Sequence, residues 1–230
     1  MIKKNIFGIL LCVFCFQFLF AQTEKDSLFL KVNLKYGNHS LELNKKYISK
    51  NDTLEISLIK FYLSGIEIEY NNKTTFIKKN SYHLIDGEKH ETLKIPICKK
   101  NNLAISKIKF NIGIDSLASV SGANAGDLDL QNGMYWAWQS GYINMKIEGK
   151  SNSCKTRKNK FQFHVGGYLK PNYALRKINF SGNIHDNINL AVDLSQIFDF
   201  ISLQQNNSIM IPGQDAMQLA DLSKNIFRLE

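Results

Sequence analysis

The stretch TLEISLIKFYLSGIEIEY, Thr53–Tyr70, decides the fold class. It is long and rich in β-branched and aromatic side chains, and in its second half Ile66, Ile68 and Tyr70 alternate with Glu67 and Glu69. Successive side chains of a strand point to opposite faces, so this alternation puts the apolar set on one face and the carboxylates on the other. The flanking sequence reads the same way. Residues 27–34, 41–43, 74–78, 82–86, 93–97, 105–114, 136–148, 160–165, 175–180 and 188–192 are short extended runs separated by Gly, Asn and Asp. That spacing predicts an all-β chain, an antiparallel β-sandwich. Helix is expected over residues 194–200 and as a short C-terminal helix within 215–227, where Met217, Leu219, Ala220, Ile226 and Phe227 share a face. Residues 115–134, with Gly122, Gly126 and Gly133, read as a long loop of the kind that usually carries function.

The N-terminus reads as a secretory leader. Lys3 and Lys4 precede an apolar run over residues 6–20, and Ala21 supplies a small residue for cleavage. The run is short for a membrane span, which takes about 20 apolar residues. The expected organisation is therefore a signal peptide over residues 1–21 and one β-sandwich domain over 22–230, periplasmic or secreted, with no stable membrane span. Cleavage would leave 209 of the 230 residues and remove two lysines, lowering the formal charge from +9 to +7. The densest cationic run, Lys150, Lys155, Arg157, Lys158 and Lys160, has no interleaved aromatics and reads as a solvated hairpin loop, not a nucleic-acid surface.

Cys12 and Cys15 leave with the leader, and Cys98 and Cys154 remain in a compartment that favours oxidation. A Cys98–Cys154 disulfide is expected, with two free thiols as the alternative.

Little in the chain points to catalysis. No Gly-x-Ser-x-Gly elbow, phosphate-binding loop, His-Glu-x-x-His or paired Cys-x-x-Cys occurs, and no nucleophile–base pair is identifiable, so a non-enzymatic role is expected. Asp127, Asp129 and Asn132 lack the closing glutamate of a calcium loop. The least ordinary segment holds Trp136 and Trp138, which strand alternation places on one face. Both are expected to be buried, as sandwich core or as the wall of a ligand or metal site.

The string GMYWAWQSGYINMKIEG, residues 133–149, resembles the hallmark of the MbnP-like copper-binding domain family. FYLSGI (61–66), YHLID (82–86), NIGID (111–115), GDLD (126–129) and FHVGG (163–167) resemble further family segments in the same order. The resemblance spans residues 28–229. It implies a periplasmic or extracellular sandwich that binds copper between histidine imidazoles near a tryptophan oxidised to kynurenine, with a dihaem peroxidase-like partner. Those sites carry a histidine two residues after the modified tryptophan. Here Trp136 is followed at that distance by Trp138, and Trp138 by Ser140. Among the five histidines, His164 lies in a matched segment beside Gly166 and Gly167 and is the expected ligand, with His83 or His39 as second imidazole. The reading is thus an exported copper-binding protein of metal acquisition or handling. Its alternative is a non-catalytic interaction module of the same fold that has lost the metal, presenting residues 119–133 to a partner.

Overall fold

The strand expected over residues 53–70 forms over that whole length, and the molecule is assembled along it. The computed structural model describes residues 26–230 apart from 51, 123 and 140. The expected signal peptide and its cleavage point lie outside them. In chain order the strands are β1 (Ser27–Tyr36), β2 (His39–Ser40), β3 (Lys46–Ile48), β4 (Thr53–Tyr70), β5 (Thr75–Ile77), β6 (Tyr82–Asp86), β7 (Lys94–Lys99) and β8 (Ile105–Ile112). After them come β9 (Tyr135–Trp136), β10 (Gly141–Ser151), β11 (Lys160–Gly166), β12 (Tyr168–Leu169), β13 (Asn172–Tyr173) and β14 (Arg176–Ile184). The last are β15 (Asn187–Asp193), β16 (Ser208–Ile209) and β17 (Phe227–Leu229). Helices α1 (Ser116–Val120), α2 (Ser195–Phe198) and α3 (Gln214–Leu222) are all short.

The larger sheet runs β14-β8-β4-β10-β11-β16, with β3, β5 and β6 also on β4 and β9 on β10. The two halves of β4 serve different neighbours: β10 pairs along 54–61 and β8 along 63–70. The second sheet runs β17-β15-β1-β2, with β7 on β1. The strand-rich sandwich with its short C-terminal helix is therefore present, though its sheets are mixed. β1 pairs β15 in parallel, and β11 pairs β16 in parallel. No hairpin ties either pair, so neither is held to antiparallel direction.

The two sheets bury one main core, in which Leu30, Val32, Ile59, Phe61, Phe163 and Leu190 are essentially inaccessible. Each such side chain contributes about 1.5–3 kcal/mol by leaving water. α2 inserts Phe198 among Tyr36, Phe161 and Phe163, with ring centroids 6.3, 5.4 and 6.3 Å away. A second apolar cluster, including Tyr62, Leu84, Met134, Trp136, Tyr142 and Ile143, packs on the opposite face of the larger sheet. Its cover is the expected long loop, which contains α1, capped by the Asp115 carboxylate accepting from the Ala118 amide at 3.0 Å. The C-terminal helix stops at Leu222 because the chain tightens into a 3-10 turn over Ser223–Ile226 and re-enters as β17 beside β15.

Two expectations are corrected here. Trp136 and Trp138 are not buried together: residues 136–148 are not one strand, because β9 ends at Trp136 and a turn follows before β10. Trp136 is 6% exposed and Trp138 63%. The Cys98–Cys154 disulfide is not formed, and both thiols are free. Cys98 Sγ lies 3.7 Å from the hydroxyl of Tyr70, at the end of β4. The Cys154 amide donates to Ser151, which pairs with Leu54 at the start of β4. Sixteen residues of extended strand are on the order of 50 Å, whereas a disulfide needs Cα atoms within about 7 Å.

Replacing Phe198→Ala should destabilise the fold by about 3–5 kcal/mol, read by chemical denaturation. A loss under about 1 kcal/mol would show that α2 does not seal the core. Thiol titration of the unreduced, unfolded chain lacking residues 1–21 should find both cysteines reactive, and none reactive would restore the bridge.

Candidate functional site

Phe163 and Val165 of β11 enter the main core, so His164 and Gly166 face the other way. Cross-strand register then aligns His164 with Lys146 of β10, Lys146 with Lys60 of β4, and Lys60 with Asp86 of β6. Four polar side chains thus cross the outer face of the larger sheet in one row. His164, only 6% exposed, has Nε2 at 2.7 Å from Oε1 of Glu148, two residues along β10 from Lys146. The Lys146 ammonium is 3.6 Å from the same oxygen and donates to the Gly133 carbonyl at 3.2 Å. Lys60 and the buried Asp86 form an ion pair at 2.9 Å. The hydrogen bond from His164 holds the Glu148 carboxyl below its ordinary range; burial opposes the shift and Lys146 assists it.

Trp136 roofs one end of this row. A β-carbon on Gly166 would fall 2.6 Å from Cζ3 of the Trp136 indole and 2.7 Å from the Tyr142 carbonyl oxygen. The indole therefore lies directly on the glycine backbone, one side-chain position (about 7 Å) along β11 from His164. Trp138 packs on the outside of Trp136, with ring centroids 5.8 Å apart and planes at 48°. Of the two indoles, one is inside and one is in solvent.

The other expected ligands are not brought to this place. His83 pairs with Leu63 of the main core and lies three positions from Asp86, so it projects from the opposite face of the sheet to His164. Its Nε2 is buried without a hydrogen-bond partner. Burial pushes its pKa down to about 4, and the nearby Lys78 lowers it further against a weaker pull from Asp127. His39 is exposed on β2, in the second sheet. Among the described residues, no group of three or more His, Cys, Asp or Glu side chains could hold a metal. Lys146 and Glu148 were missed at the sequence level. The available signal was their two-residue spacing within a matched segment, which places both on one face of a strand.

The fold and site together define a β-sandwich protein whose outer sheet face carries a histidine–carboxylate pair with an indole lying on the strand two residues away, at Gly166. The chain belongs to the MbnP family, whose model matches residues 25–211. Its fold is similar to that of MbnP from Methylosinus trichosporium, with a TM-score of 0.64 at 11% identity over 88% of this chain and 97% of that one. Among curated proteins no sequence matches it. Among the described residues, no helix is long and apolar enough to cross a membrane.

His83 is expected to make the fold acid-sensitive. Its folded value of about 4 lies below the ordinary 6.5, so between those values the unfolded chain takes up a proton that the folded chain refuses. Stability should fall as pH drops through that window, and His83→Leu should flatten the corresponding part of a melting temperature against pH curve. An unchanged slope in the variant would assign the acid sensitivity to other groups.

Proposed function

We propose that this chain is an exported, non-catalytic protein of metal handling in the periplasm or outside the cell, with copper as its metal and His164 as the residue that meets it. The observation that carries the reading is the pairing of the buried His164 with the partly exposed Glu148 near Trp136, on the face formed by matched family segments. The fit to copper is partial. Imidazole is the right kind of donor, and tightly held copper takes two or three nitrogen or sulfur ligands. His164 is the one imidazole among the three expected ligands on this face, and Glu148 already engages its Nε2. Copper bound here would therefore be held weakly and exchangeably. The dihaem peroxidase-like partner belongs to the same reading, and the solvent-facing plate of Trp138 against Trp136 is the surface it would meet.

The engaged nitrogen favours a second reading: an interaction module of this family that has lost the metal and works through the loop over residues 119–133. Elemental analysis of protein purified from the exported fraction, followed by copper titration, separates the two. The first reading expects uptake of about one copper per chain, abolished in His164→Ala and kept in Glu148→Gln, which removes the charged competitor for the imidazole. No uptake by the parent protein would leave the second reading standing.

A further inference from the structure

The end of the sandwich where β3, β4, β10 and β11 lie side by side concentrates positive charge that the His164 row does not use. Register places Lys46 opposite Glu55, Glu55 opposite Lys150, and Lys150 opposite Lys160. Four adjacent strands therefore present three lysines and one carboxylate in a line. Lys46, Lys150 and Lys158 border a groove of about 200 Å³ with Asn152 and Asn159. Lys158 also borders a groove of about 410 Å³ with Arg157, Lys160, Gln162 and Asn207. Lys46 borders a third, of about 640 Å³, with Lys45, Asn38 and Ser195. Lys158 lines both of the first two grooves and Lys46 both the first and the third, so the three adjoin at these lysines as a cationic furrow.

Its charge is only partly compensated. Lys45 is paired with Glu42 at 2.7 Å, and the carboxylates lining the grooves are Glu55 and Asp199. Among the described residues, Lys46, Lys150, Arg157, Lys158 and Lys160 have no salt-bridge partner; Glu55 is the one carboxylate in their row. At the junction of two grooves the backbone is left-handed at two consecutive side-chain-bearing residues, Lys158 (φ 62°) and Asn159 (φ 54°). Such residues are disfavoured there and persist where the surroundings hold them.

We propose that this furrow binds an extended anionic glycan. Its unpaired cations would meet the carboxylate, sulfate or phosphate groups of the chain, and its Asn, Gln and Ser side chains both donate and accept hydrogen bonds as sugar hydroxyls require. A row of adjoining grooves suits a linear polymer better than a flat bilayer. Single-stranded nucleic acid wants exposed aromatic plates for its bases, whereas the furrow's Tyr36 and Tyr47 are buried and stacked on each other at 4.3 Å.

The test uses the chain over residues 22–230 and a fluorescein-labelled heparin oligosaccharide, followed by anisotropy at several salt concentrations. A variant with Lys46, Lys150, Lys158 and Lys160 all changed to alanine should lose roughly tenfold to a hundredfold in affinity, with a shallower salt dependence. A control with the same charge loss, at the exposed Lys31, Lys89, Lys99 and Lys177, should stay within about threefold of the parent. Thermal melts establish that both fold; should the quadruple variant fail to, Lys160→Glu alone must weaken binding. Equal losses in the two variants, no heparin binding by the parent, or tighter binding to single-stranded DNA or to phosphatidylglycerol vesicles than to heparin would each overturn the proposal.

Discussion

Everything in this molecule hangs on the backbone hydrogen bonding of β4. A strand of eighteen residues offers far more donors and acceptors than one partner can satisfy, and unpaired groups are costly once buried. β3, β5, β6, β8 and β10 together meet that demand. Because β4 is common to all of them, its alternation is imposed on each neighbour through register. Phe61, Leu63 and Ile85 enter the core, while Lys60, Tyr62 and Asp86 appear on the reverse.

That reverse face is where the protein departs from a plain sandwich. A sheet covered on both sides normally buries apolar residues on both, yet Asp86 and His164 are buried here among lysines and a glutamate. Such groups survive out of water only when paired, and removing one partner of a buried ion pair costs about 3–5 kcal/mol. The Lys60–Asp86 pair and the His164–Glu148–Lys146 cluster meet the condition. The loop carrying α1 then closes over the apolar part of the face, and Trp136 seals the boundary by lying on Gly166. A glycine is required there because any side chain would occupy the space of the indole. Polar row, indole and loop are thus one unit, and a substitution in any of them is felt by the others.

Much of the fold was legible because it rests on local pattern. The strands at Thr53–Tyr70 and Tyr82–Asp86 form over their expected ranges, Ile66, Ile68 and Tyr70 face the core as their alternation requires, and the C-terminal helix starts within one residue of its expected place. The tryptophan segment misled because alternation was extended through a turn: Trp-Ala-Trp-Gln has strand-like composition, and nothing local announces that the chain reverses after Trp136. The disulfide misled because oxidising surroundings make a bridge permissible without bringing two cysteines together, and these lie toward opposite ends of β4.

By itself, the sequence determined the class of fold, the strand that organises it and the family, since period two and matched short segments are properties of neighbouring residues. Only the tertiary structure decided which side chains share a face. Parity along each strand is local, but it is shifted by irregularities such as the one between Ile143 and Met145, and carried across the sheet by pairings between residues far apart in sequence. That is why His83 and His164 end on opposite faces, why Glu148 and not a second imidazole completes the pair, and why a run of lysines in a hairpin becomes one wall of a furrow. The outcome depends on long-range register, which local sequence pattern does not encode.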